Sequence, residues 1–538
     1  MSLVLLALLT AAPAPSPAEK LLTAESIRAH VGFLASDELE GRGPATRGDK
    51  LAQRYIATQL ELLGLQPASP TGGYFQYFDI VGVEGTTPTL TFNGPSKRVL
   101  TLKQNDDFIA VSAHQEKQSK LDNAELVFVG YGIDAPQYGW SDFKDVDVRG
   151  KVIVVMNSDP ADDPALFEGP TRLYYGRWDY KFEQAARVGA AGCLIIHTTP
   201  SAGYPWQVVQ ASWAGELFDL PVEGPPSLQV KMWATEEATR KLFALGGHEL
   251  DALRLAANKR EFRPVPLGVT VSTTITNVVS RKQTANVLAV LPGSDPVLKK
   301  EYVVITAHHD HLGKKSAIKP NEDGIYNGAI DNASGVAAIL TIARALSAMP
   351  VAPKRSILFA AVAAEEQGLL GSAYLVAHPP VPTRQMAGNI NIDGLNKWGK
   401  TRDVSVIGLG KSTLDLALVE LAKAQGRTVK GDAMKDRGFF YRSDQFNFAK
   451  AGVPAAYFSS GQDFIDRPPG WGKSMREKWE LESYHQPSDE LTDAWDLAGA
   501  VEDVQLFFRL ALAVGNAPSM PTWKIGDEFE AIRLKSLK

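Results

Sequence analysis

From residue 273 onward the chain alternates short runs rich in β-branched residues with longer apolar stretches at helical spacing, and this alternation restricts it to a mainly parallel sheet covered by helices on both faces. Strands are expected at 285–290, 302–306, 356–361, 389–392, 404–407 and 455–458, and helices at 335–345, 414–424 and 498–513. In open sheets of this kind, sites lie beyond the carboxyl ends of the strands. The residues that follow each strand are therefore where chemistry is expected.

At 538 residues the chain exceeds the size at which one hydrophobic core keeps growing, and the pattern before residue 273 divides accordingly. Helical spacing at 24–34 and 50–63, separated by the Gly/Pro-containing turn 41–48, opens a domain. A change follows near Asn123: short strands at 126–129, 152–155 and 193–196 and a helix at 182–188 make an α+β unit that closes near Leu267. The expected organisation is one domain built from 20–122 and 268–538, with 123–267 inserted as a smaller α+β domain. Residues 1–19 read as a signal peptide, because the apolar run 3–12 ends in small residues and precedes Pro13, Pro15, Ser16 and Pro17. That run is too short to span a bilayer, although no Lys or Arg stands before it. Export to the periplasm or the medium is the expectation, without stable membrane insertion.

The composition, 44% hydrophobic and 22% charged with net charge −5, suits a soluble globular enzyme and offers no electrostatic case for nucleic acid. Cys193 is the only cysteine, which excludes an intrachain disulfide and any zinc site needing two thiolates. A metal would have to be held by His, Asp and Glu.

Such residues gather at the expected strand ends. The strand at 302–306 runs into His308, His309, Asp310 and His311; His308 and Asp310, two apart, point to one side of an extended backbone, where a carboxylate can orient an imidazole. Next come Asp331 and Asn332, ahead of an apolar helix. Either reads alone as a helix N-cap, but an aspartate can also give one oxygen to each of two cations about 3.5–4 Å apart. Glu365 and Glu366 follow the strand at 356–361. Adjacent glutamates diverge, so one can bind metal while the other serves as general base; alone, the pair reads as a solvated helix start. Asp393 follows the strand at 389–392, and Tyr484 and His485 lie in a polar loop. Each has a bland account as a turn or cap; five such coincidences together are far less expected than any one.

The ordered set His308 with Asp310, Asp331, Glu365 with Glu366, Asp393 and His485 resembles the signature of the M28 family of zinc peptidases. That family includes bacterial aminopeptidases and, more remotely, glutamate carboxypeptidase II and the transferrin receptor. The resemblance runs from about Leu21 to the C-terminal helix. The stretch 34–42 looks like the opening of bacterial members, and Tyr484-His485-Gln486-Pro487-Ser488-Asp489 is typical of them. Residues 123–267 resemble the protease-associated (PA) domain inserted in many such enzymes.

The resemblance implies a zinc-exopeptidase-like fold with two Zn2+ per chain, other divalent ions fitting the same donors. One metal would be held by His308 and Asp393, a second by Glu366 and His485, with Asp331 bridging. Glu365 matches the general base, Asp310 the carboxylate behind His308, and Tyr484 a residue that in some members stabilises an oxyanion. Zinc lowers the pKa of a bound water to about 7 and polarises the scissile carbonyl, which answers the two weaknesses of uncatalysed peptide hydrolysis. The expected partner is a peptide substrate, cleaved as by an aminopeptidase. Carboxypeptidase, dipeptidase and glutaminyl cyclase activities are the alternatives, and a non-catalytic binding protein on the same fold is a remote one.

Other chemistries lack their setting. No G-x-S-x-G elbow is present, and Cys193 sits among Ala190, Ala191 and Leu194. Gly410-Lys411-Ser412-Thr413 ends like a P-loop but reads as a helix start, because Ser405 occupies the position of the first glycine. Arg437, Arg442 and Arg467, with Phe439, Phe440, Tyr441, Phe464 and Trp471, are read either as pocket rim and walls or as loop packing. The segment 461–482 is read as a rim or lid.

Overall fold

The computed structural model describes residues 17–86, 89–160, 166–213, 215–222, 228–315 and 323–538; the apolar run 3–12 lies outside them. The chain forms two compact units: Met1–Phe78, Gln283–Ala433 and Arg442–Lys538 make the larger, Asp79–Lys282 and Met434–Tyr441 the smaller.

The main strands of the larger unit's sheet are β1 (Val265–Leu291, through its last residues), β2 (Tyr302–His308), β3 (Ser356–Val362), β4 (Met386–Asn391), β5 (Asp403–Ile407), β6 (Thr428–Gly431) and β7 (Ala455–Ser460), with Gln66–Pro67 added antiparallel to β1. The order is β1-β3-β2-β4-β7-β5-β6, with β3, β2, β4 and β7 mutually parallel, β1 antiparallel to β3 and β5 antiparallel to β7. This is the mainly parallel mixed sheet expected from the alternation. Side chains of β2 and β3 alternate between two cores. Val303, Ile305, Ile357 and Phe359 pack with the helix Gly335–Ser347 and the helix Ala498–Asn516, whereas Val304, Leu358 and Ala360 pack with Leu375 and Phe448. With both faces covered, the strands read as continuous apolar runs. The helix Gly335–Ser347 is buried nearly all round, which explains its uniform hydropathy.

The first two helices, Ala24–Leu34 and Arg47–Leu62, are capped by Thr23, which accepts from Ser26 N, and by Thr46, which accepts from Asp49 N. Gly410 to Thr413 lead into the helix Leu414–Ala424 as a plain helix start, and Lys411 pairs with Asp527 and Glu528.

The smaller unit has its own sheet. Its strands run Phe108–Ser112, Val230–Thr235, Gly192–His197, Val152–Met156, Gln118–Phe128 and the first part of β1, with the inner four parallel. Cys193 is buried in the third of these. The unit is wider than the segment 123–267, because Phe108–Ser112 pairs with Val230–Thr235 and Thr91–Asn93 pairs with Thr270 to Ser272. Sequence pattern alone missed these early strands, which are short; Phe108–Ser112 pairs far away in the chain, and Thr91–Asn93 pairs both there and with the equally short Val99–Thr101.

Candidate metal site

The carboxyl ends of β2, β3 and β4 lie side by side in the larger unit, and their register chooses which side chains meet. Thr306 is level with Asn391, so two residues later His308 and Asp393 emerge together, with Nε2 3.3 Å from Oδ1.

Asp331 arrives on the turn that precedes the helix Gly335–Ser347. Gly328 opens that turn at φ 55°, and a Cβ there would stand 2.2 Å from the Asp331 carbonyl oxygen and 2.6 Å from the His311 ring, so only glycine fits. Asn332 fastens the turn to the end of β4: its Nδ2 donates to Ile392 O, while its Oδ1 accepts from Gly335 N and Gly394 N, all at 2.9 Å. The Asp489 carboxylate accepts from Ile330 N at 3.0 Å and Asp331 N at 3.1 Å. So held, the Asp331 side chain points one oxygen each way: Oδ1 lies 3.2 Å from His308 Nε2 and Oδ2 3.2 Å from His485 Nε2.

After β3 the two glutamates diverge as expected. Glu366 Oε2 lies 3.2 Å from His485 Nε2, whereas Glu365 Oε2 is 3.9 Å from His308 Nε2. Asp310 explains how this loop is held: its buried carboxylate accepts from Glu365 N at 3.1 Å and Glu366 N at 3.4 Å. Its Oδ1 is also the nearest carboxylate to His308 Nδ1, at 3.9 Å, while its own carbonyl is closer, at 3.3 Å. Tyr484 lays its ring flat on His485, with centroids 3.9 Å apart. Phe464 and Trp471 pack edge to face and Arg467 lies over Trp471, so these read as loop packing beside the helix Trp471–Glu482.

All five expected ligands therefore converge. Donors sharing one tetrahedral zinc at about 2.0–2.1 Å stand about 3.3–3.4 Å from each other. The separations His308–Asp393, His308–Asp331, His485–Asp331 and His485–Glu366, at 3.2 to 3.3 Å, have that spacing; Glu365 at 3.9 Å falls outside it. The nitrogen and carboxylate oxygen donors suit zinc.

Charge leads to the same place. Four carboxylates, Asp331, Glu365, Glu366 and Asp393, face three imidazoles, His308, His311 and His485. Burial opposes charge on His485, but Glu366 and Asp331 outweigh it and raise its pKa to about 10. His308 is likewise raised despite burial, by Glu365, Asp331 and Asp393. Burial works against ionised Glu366 too, yet His485 and His311 hold its carboxyl at about 2. Burial, reinforced by Asp393, Glu366 and Asp444, pushes Glu365 well above the usual carboxylate range although His308 opposes it. Protons on His308 and His485 thus occupy the place in the charge balance that a divalent cation would take.

Sequence reasoning left four contributors without a role. Arg42, fully buried, donates to the carbonyls of Leu34, His309, Asn327 and Gly328, tying the first helix to the two ligand-bearing loops. Asn332 and Asp489 orient Asp331, and His311 approaches Glu366. His311 stood in the visible histidine cluster; Arg42 stood in the stretch 34–42 that carries the resemblance, but its role had no signal, because its partners are backbone atoms.

Residues 286–508 match the pattern of Peptidase family M28. Among similar proteins, leupeptin-inactivating enzyme 1 of Streptomyces exfoliatus is 26% identical over 40% of this chain and 44% of its own length. Aminopeptidase YwaD of Bacillus subtilis is 28% identical over 36% of each chain. The chain thus matches less than half the length of either relative. An aminopeptidase from Aneurinibacillus sp. strain AM-1 has a similar structure, with TM-score 0.53 and 20% identity over 94% of this chain and 97% of that one.

Proposed function

Residues 286–508 constitute a peptidase family M28 domain, and from that premise we propose that the chain is a zinc aminopeptidase that releases N-terminal residues from peptides. The observation that carries this reading is the Asp331 carboxylate, with one oxygen 3.2 Å from His308 and the other 3.2 Å from His485. One zinc would be held by His308 and Asp393, a second by Glu366 and His485, and Asp331 would be shared. When bound, such ions supply Lewis acidity, making water acidic enough to lose a proton near pH 7 and stabilising negative charge on the carbonyl oxygen.

The chain's own groups do the rest. Glu365 takes the proton from the attacking water and hands it to the leaving amine, a task that suits a carboxylate set 3.9 Å from His308, outside the spacing of the pairs proposed to share a cation. Asp310 holds the Glu365 and Glu366 amides, so the base and the neighbouring ligand keep their divergent directions. Tyr484 supports the His485 ring, and we assign its hydroxyl to the oxyanion. The names of the Bacillus and Aneurinibacillus relatives favour an aminopeptidase over a carboxypeptidase, dipeptidase or glutaminyl cyclase. We further assign the insertion, 123–267 by sequence pattern, to the PA type, and place the protein outside the cytoplasm on the strength of the run 3–12.

The test is to count zinc before and after chelation while assaying aminoacyl substrates with free and acetylated amino groups. Two zincs per chain and selective hydrolysis of the free substrates are expected. Equal rates on blocked substrates would refute the aminopeptidase, and one zinc with pyroglutamate formation would favour the cyclase.

A further inference from the structure

His311 approaches Glu366 in a way that the five-ligand set does not use. Its ring is fully buried, and its backbone N–H donates to Arg42 O at 3.2 Å. One side of the ring is closed by Gly328, where even a Cβ would come within 2.6 Å, and His485 stands edge-on at 5.7 Å between centroids. The ring therefore has no room to turn. Nδ1 lies 2.6 Å from Glu366 Oε1, whereas Nε2, equally buried, has no hydrogen-bond partner among the described residues.

That 2.6 Å separation distinguishes two roles. It is a short charge-assisted hydrogen bond. It is also well below the roughly 3.3 Å that separates two donors on one tetrahedral zinc, whereas the His485–Glu366 and His485–Asp331 pairs have that wider spacing at 3.2 Å. We propose that His311 is a positioning residue: it fixes the Glu366 carboxylate by occupying Oε1, so that Oε2 alone is presented beside His485 and Asp331. Nδ1 carries the proton it donates, and Nε2, on the other side of the ring, is left to the packing around it. The proposal rests on the two-zinc reading, and it predicts an effect on one of the two sites only.

The experiment is a zinc titration of the protein against a chromophoric chelator, comparing wild type, His311→Ala and His311→Asn, with thermal melting of the metal-free proteins alongside. Expected are two zincs in all three, one of the two affinities weakened about 10- to 100-fold in His311→Ala, and recovery in His311→Asn, whose amide nitrogen stands where Nδ1 does and can still donate to Oε1. Unchanged affinities in His311→Ala would overturn the proposal. So would complete loss of one zinc in both variants, since that would make His311 a ligand. If both affinities fell in parallel with the melting temperature, His311 would be only a packing residue and the proposal would again fail. Fewer than two zincs in the wild type would instead refute the reading beneath it.

Discussion

Glu365 and Glu366 are neighbours in the chain, yet burial and His485 send their carboxyls in opposite directions: one is held well above the ordinary range, the other at about 2. This contrast gives them different work. Glu365→Gln should keep both zincs and lower kcat by about 10²- to 10⁴-fold, whereas Asp331→Ala should empty the site; equal zinc loss in the two, measured by elemental analysis, would contradict the roles. pH supplies a second handle. His308 and His485 are raised above 6.5, His485 to about 10, so both hold protons at neutral pH when no cation is present, and zinc must displace them. Zinc affinity should therefore rise with pH from neutrality towards about 10 and fall as pH is lowered; a competition titration showing no dependence over pH 6 to 9 would refute this. Of the proposed ligands, His308, Glu366 and Asp393 were legible in the sequence because each ends or follows a strand, whereas Asp331, ahead of a helix, and His485, in a polar loop, stood out only as members of the set. The second function of Asp310, holding two amides after β3, was not legible, since hydrogen bonds to backbone leave no mark on spacing.

At the level of elements, the site depends on parallel register and one sharp turn. Strands β2, β3 and β4 were readable from their apolar runs, and so were the helices Leu414–Ala424 and Ala498–Asn516. The turn at Gly328 to Gly335 was not, because its shape comes from Asp489 and Arg42 in other segments and from Asn332 reaching out to Ile392 at the end of β4. Gly328→Ala should therefore do more than an ordinary loop substitution. A left-handed residue forced against the Asp331 carbonyl should cost about 1–3 kcal/mol in backbone strain and weaken zinc binding by moving Asp331. Arg42→Leu, which strands four carbonyls, should lower unfolding free energy by about 3 kcal/mol or more. Urea denaturation of the metal-free proteins checks both; wild-type stability in Arg42→Leu would show that water replaces the guanidinium.

Across the whole molecule, every proposed ligand belongs to the larger unit by chain position, and the smaller unit has hydrophobic cores of its own. Trp233, fully buried among Phe182, Ile195 and Val209, should cost about 3–5 kcal/mol when replaced by alanine. Zinc stoichiometry should stay unchanged, as calorimetry with metal analysis would reveal. Of the early strands of that unit, Phe108–Ser112 escaped the sequence because its pairing with Val230–Thr235, more than a hundred residues away, has no local signature, and Thr91–Asn93 and Val99–Thr101 because three residues are too few to show an alternation. The central claim is that Asp331 joins two cation positions, and diffraction at the zinc absorption edge from crystals of the zinc-loaded protein tests it most directly. Two anomalous peaks are predicted, one against His308 and Asp393, the other against Glu366 and His485, with an Asp331 oxygen on each. A single peak, or peaks away from Asp331, would contradict the account.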